Sequence, residues 1–122
     1  MNLDAPQNPL RHSYEHLMLQ AERIRQRIPS AAVLTSATGR GRLALELVEL
    51  RGGVEAAPTF GGSSSSRRLR AEARALCDRI DLVLARMEDE PNAAKLHRDA
   101  AALLESVRRF ALGRIDAASD AA

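Results

Sequence analysis

The residues of this chain best equipped for chemistry lie in three places. His12, Glu15 and His16 sit within one five-residue run. Two imidazoles four apart share a helix face and can hold zinc, with the carboxylate between them as a base. Cys77 is the single thiol. The third place is a double set of arginines, Arg67, Arg68 and Arg70 with Arg108, Arg109 and Arg114. A guanidinium makes planar, two-pronged contacts with phosphate or carboxylate, so such a set could hold an anionic partner.

The elements that carry these residues decide how each is read. His12-Ser13-Tyr14-Glu15-His16 resembles the H-x-x-E-H signature of the inverzincin peptidases over those five residues. Leu10, Tyr14, Leu17, Ala21, Ile24 and Ile28 recur at helical spacing, however, and put Tyr14 on the buried stripe. Both histidines then face outward, where a solvated role is expected. Gly39-Arg40-Gly41-Arg42-Leu43-Ala44 fits the G-x-G-x-x-A pattern of dinucleotide sites. No acidic residue closes a second strand, no repeat of the unit follows, and no Gly-Lys-Ser/Thr occurs. A flexible turn ahead of a helix is expected there, with an anion contact by Arg40 and Arg42 as the lesser reading. Cys77 borders an apolar stripe beside Asp78, which disfavours a thiolate. His97 reads as a packing residue. The carboxylates are scattered, with no convergent pair for acid–base work. No catalytic residue, metal site or cofactor is expected.

Composition narrows the class. The chain has 122 residues, which fits one domain, and only three aromatics, Tyr14, Phe60 and Phe110. A core built from Leu, Ile, Val, Met and Ala suits helix-on-helix packing and argues for an all-α fold. One cysteine excludes an intrachain disulfide framework and any multi-cysteine metal site. A reducing, cytoplasmic setting is the expectation. No segment reaches the roughly 20 apolar residues of a membrane span, and Met1-Asn2-Leu3-Asp4 lacks the basic and apolar regions of a secretory signal. Lysine and arginine number 18 against 16 acids, a net charge of +2. That near-balance does not by itself imply nucleic acid.

The expected architecture is a small helical bundle. Residues 1–9, with Pro6 and Pro9, read as a mobile arm, and a first helix runs from Leu10 to Ile28, ended by Pro29. Ala32-Val33-Leu34-Thr35 reads as a short strand or a buried connector. Leu43, Leu47, Leu50 and Val54, widened by Ala44 and Val48, predict a second helix from Arg42 to Arg51, stopped by Gly52-Gly53. The alternation Leu43, Leu45, Leu47 leaves a β-hairpin over 32–50 as the alternative. Residues 52–66, rich in glycine and serine, read as a linker between an N-terminal half (10–51) and a C-terminal half (67–115), with 116–122 as a frayed tail.

The C-terminal half carries the clearest rhythm. Leu69, Ala73, Leu76, Ile80, Val83 and Met87 form one stripe, and Leu96, Ala100, Leu103, Val107 and Phe110 another, across a break at Asp89-Glu90-Pro91. An antiparallel, coiled-coil-like helical hairpin follows from that spacing. Leu84 and Leu104 widen the stripes, so this apolar surface must meet the N-terminal helices or a second copy. The six arginines named above would then meet at the open end of the hairpin. The composite expectation is a non-catalytic protein–protein interaction module: an adaptor, regulator or assembly factor that self-associates through these stripes. A nucleic-acid-binding regulator or DNA-packaging component using the arginine end is the alternative. Stacking on bases is disfavoured by the lack of aromatics, which leaves duplex backbone contact.

Overall fold

The computed structural model describes residues 9–59 and 67–121, and every regular element among them is helical. The order is α1 (Pro9–Arg27), a 3-10 segment (Ala31–Thr35), α2 (Ala37–Ala56), a 3-10 turn (Ala57–Thr59), α3 (Arg67–Asp89) and α4 (Ala93–Ala121). No helix among these residues is long and apolar enough to cross a membrane.

Local chemistry sets the ends. Pro9 occupies the first helical position of α1, where a missing N–H costs nothing. Pro29 disfavours helical backbone at Ile28 and stops the helix. Ser36 caps α2, its Oγ accepting from the Gly39 N–H at 3.0 Å. Asn92 caps α4 in the same way, its Oδ1 accepting from the Lys95 N–H at 3.1 Å.

Cross-helix pairs give the directions. Arg27 pairs with Glu46 while Gly53 approaches Leu17, so α1 and α2 run antiparallel. Arg51 meets Asp81 and Arg40 meets Met87, which sets α2 against α3. Arg79 donates to Ser106 and Arg86 to Asp99 along α3 and α4. His97 meets the Ile28 carbonyl and Arg25 faces Glu105, closing α4 back onto α1. The result is a four-helix bundle, up-down-up-down. Within it α1 packs chiefly on α4 and α2 chiefly on α3, and the first 3-10 segment also rests on α4.

Several expectations are corrected. No β-hairpin forms over 32–50. Residues 31–35 close their own short turns, with the Val33 N–H donating to the Ser30 carbonyl, and Leu34 is drawn into the core. Leu43, Leu47, Leu50 and Val54 are all buried on one side of α2, which fixes the helical period over the alternating one. The glycines do not bound α2. Gly39, Gly41, Gly52 and Gly53 all lie inside it, so residues 52–59 of the linker expected over 52–66 are helical. Each glycine weakens a helix by about 1 kcal/mol relative to alanine, yet burial of four large side chains outweighs that. Packing requires Gly39, where a Cβ would stand 1.8 Å from the Val33 carbonyl oxygen; a Cβ on Gly53 would stand 3.1 Å from Leu17 Cδ1, a tight contact with the movable end of a side chain.

The two expected halves share one core. Tyr14, Leu17 and Ile24 of α1, the α2 residues above, Leu76, Ile80 and Val83 of α3, and Leu96, Leu103 and Val107 of α4 belong to a single buried cluster. The stripes of α3 and α4 therefore face the N-terminal helices as well as each other. The frayed tail expected from 116 is helical as far as Ala121. The mobile arm, apart from Pro9, and residues 60–66 of the linker lie outside the described residues.

Candidate interaction surface

The six arginines do not form one cluster. Arg108 and Arg109 lie one turn beyond Glu105 on α4 and both turn back to it. Arg108 Nε and Nη2 donate to the two Glu105 oxygens at 3.1 and 3.0 Å, and Arg109 Nε donates at 2.9 Å. Arg25 of α1 stands 3.9 Å away. The hydrogen bonds from Arg108 and then Arg109 hold the Glu105 carboxyl at about 2, well below its usual value. Arg114 is half-buried near Tyr14 and its charge lowers the phenol's pKa, but burial is the larger effect and leaves that pKa raised. Arg68 pairs with Glu72 one turn along α3 at 3.4 Å. Arg67 and Arg70 are exposed, and with Arg74 they line a groove against Arg51, Glu55 and Pro58 at the end of α2. Glu55 and Asp78 share that lining, so the groove is mixed in sign.

The apolar residues expected to form an interface are spent inside. Leu76, Ile80, Val83, Leu96, Leu103, Leu104 and Val107 are buried in the core. Leu69, Leu84 and Phe110 are half-buried, Leu84 and Phe110 packing against the core and Phe110 meeting Tyr14 edge-on with ring centres 6.1 Å apart. The bundle itself is what covers these stripes.

The remaining motifs fall on separate elements of the bundle. His12 and His16 are exposed, and no group of three His, Cys, Asp or Glu side chains is arranged for a metal among the described residues. Gly39–Ala44 is the opening of α2 and not a loop. Arg40 turns inward from it, donating Nε to the Leu34 carbonyl at 2.7 Å and Nη1 to the Met87 and Glu90 carbonyls at 3.1 and 2.6 Å. Cys77 is buried in the α2–α3 seam and burial raises its thiol pKa. The His97 ring is half-buried, with Nε2 2.8 Å from the Ile28 carbonyl oxygen.

One surface remains that sequence reading missed. Val48, expected to widen the buried stripe of α2, is 55% exposed, and Leu45 is 70% exposed. Both lie on the side of the helix opposite Leu43, Leu47, Leu50 and Val54. Thr38, Gly41, Leu45, Val48, Gly52 and Ala56 run in that order along the outward face, at spacings of three and four, and none carries a charge. The charged residues of α2 keep to its flanks or turn inward. The signal was present in the sequence, since at helical spacing Leu45 and Val48 fall off the stripe of Leu43, Leu47, Leu50 and Val54. Placing Val48 on the buried stripe hid it. Comparison with models of protein families, with curated proteins and with solved structures gave no match for this chain.

Proposed function

We propose that this chain is a non-catalytic protein–protein interaction module that docks through the outward face of α2. The observation that carries the reading is that face itself: Leu45 and Val48 stand out into solvent in the middle of a 20-residue helix whose outermost line has no charged side chain. A water-facing helix ordinarily carries its charges on that line, and contiguous exposed apolar surface marks binding sites. An adaptor, regulator or assembly factor would use such a face. Nucleic acid binding through the arginine end has less behind it, because Arg108 and Arg109 are engaged by Glu105 and the arginines of the α3 groove stand beside Glu55 and Asp78.

The test is a double substitution, Leu45→Lys with Val48→Lys. Both side chains are exposed, so melting should change little, while proteins captured from the native host should be lost. An unchanged set of captured proteins would sink the reading.

A further inference from the structure

We propose that the occupant of the α2 face is α2 of a second copy, laid antiparallel across a two-fold axis between Glu46 and Leu47. The proposal rests on the interaction-module reading above and names its partner.

The spacing of the outward stripe is self-complementary. Gly41, Leu45, Val48 and Gly52 follow at four, three and four, an order that reads the same from either end. Its centre falls between residues 46 and 47, which is also the centre of the helix, Ala37–Ala56. A two-fold axis at that point sets Leu45 against Val48 of the partner subunit, and Gly41 against Gly52 of the partner subunit, with both helices overlapping over their whole length. An isologous contact needs this property, because one patch must match itself reversed.

The glycines supply a second observation. Of the four in α2, Gly39 is demanded by the Val33 carbonyl and Gly53 lies close against Leu17, as shown above. Gly41 and Gly52 have no such neighbour: a Cβ at either would meet nothing within 4 Å. Both lie on the outward stripe, where alanine would favour the helix more. Close approach of another backbone is the physical use left for a glycine there.

Charge complementarity is the third. In an antiparallel helix pair, residues flanking the seam on the same side face one another. Arg42 of one copy then lies across from Glu49 of the partner subunit, and the symmetry gives this pair twice. Arg42 and Glu49 are both exposed, and neither side chain makes a hydrogen bond or ion pair among the described residues. On the opposite flank Ala44 faces Arg51 of the partner subunit, and Arg51 is already held by Asp81 at 2.7 and 3.2 Å. No like charges are forced together. Two helices meeting over about 30 Å make a contact near the lower end of specific interfaces, roughly 1,000 Å² in total. The dimer should therefore be concentration-dependent and not permanent.

The experiment is sedimentation equilibrium of the full chain from about 1 to about 500 µM, where a weak dimer must show itself by mass action. The parent should move from the 13.3 kDa monomer toward twice that mass. Leu45→Glu with Val48→Glu should remain monomeric throughout while melting as the parent does. Arg42→Glu and Glu49→Arg should each weaken the dimer several-fold, and the two together should restore it. A parent that stays monomeric at the top of the range overturns the proposal, as does a dimer indifferent to the Leu45 and Val48 changes, or a charge swap without rescue. A monomeric parent that still captures another protein, and loses it with Leu45→Lys and Val48→Lys, would overturn the second copy as occupant while leaving the docking face in place. A monomer with no such capture would overturn both.

Discussion

Removing the Arg40 guanidinium should loosen two joints of the bundle at once. Arg40 sits in the opening turn of α2 and donates to carbonyls on two other elements, Leu34 in the 3-10 segment and Met87 and Glu90 at the end of α3. Met87 belongs to the last turn of α3, whose carbonyls have no partner inside the helix. That end also bears Glu88, Asp89 and Glu90, acids placed against the negative pole of the helix. The guanidinium offsets both defects. Arg40→Met keeps most of the stem and deletes the donors. Three hydrogen bonds at about 1 kcal/mol net apiece, with the carbonyls partly rewetted, give a loss of about 2–4 kcal/mol. For a domain of this size that is a fall of roughly 10 °C in melting temperature, read by far-ultraviolet circular dichroism. Arg40→Lys, which keeps the charge but cannot fork to three carbonyls, should fall between the two. If Arg40→Met melts within about 2 °C of the parent, the clamp carries no weight and the account of the α2–α3 joint is wrong.

Other outcomes follow from the same contacts. Gly39→Ala places a Cβ against the Val33 carbonyl and should destabilise the fold strongly, whereas Gly41→Ala, in open space, should stabilise the dilute monomer by about 0.5–1 kcal/mol; equal melting of the two variants would refute the close approach. Tyr14→Phe removes the 3.1 Å bond from its hydroxyl to the Ala57 carbonyl and should cost about 1–2 kcal/mol in chemical denaturation, with no change counting against that bond. The Glu105 carboxyl is held near 2 in the fold against an ordinary 4.5. Its stabilising effect is therefore complete above the unfolded value, and it is lost as pH falls from about 4.5 toward 2. Glu105→Gln should flatten the acid limb of the melting-temperature profile in that window, and parallel limbs for parent and variant would show that the three arginines around it do not act through its charge.

The sequence made some of this legible and hid the rest for identifiable reasons. The stripes through Tyr14–Ile28, Ala73–Met87 and Leu96–Val107 are buried as their period requires, because one apolar face per amphipathic helix leaves little choice. The extent of α2 was not legible. Gly39 and Gly53 read as breakers by local propensity, and only contacts with Val33 and Leu17 from elsewhere in the chain turn them into packing residues. The arginine end failed differently. The pairing of Arg79 with Ser106 and Arg86 with Asp99 sets Arg108 and Arg109 level with about residue 77 of α3, well short of Arg67, Arg68 and Arg70, and Glu105 takes up both. The i+3 and i+4 spacing of Arg108 and Arg109 from Glu105 was readable from the start. Arg40 gave no warning, since its acceptors are backbone atoms that only the fold assembles.

The one thiol of the chain is a built-in gauge of how the bundle breathes. Cys77 sits in the seam between α2 and α3, with its sulfur 3.8 Å from the Arg51 carbonyl oxygen and its pKa raised by burial. Cys77 also lines the groove beside Arg51 and Glu55, and a reagent that alkylates thiolates gains full access to it when α2 lifts from α3. The labelling rate then reports the population of that opening, or its speed when the reagent outpaces reclosure. Because the chain holds a single cysteine, the added mass comes from one place. Separation of those two helices can thus be followed apart from global unfolding, without introducing a probe.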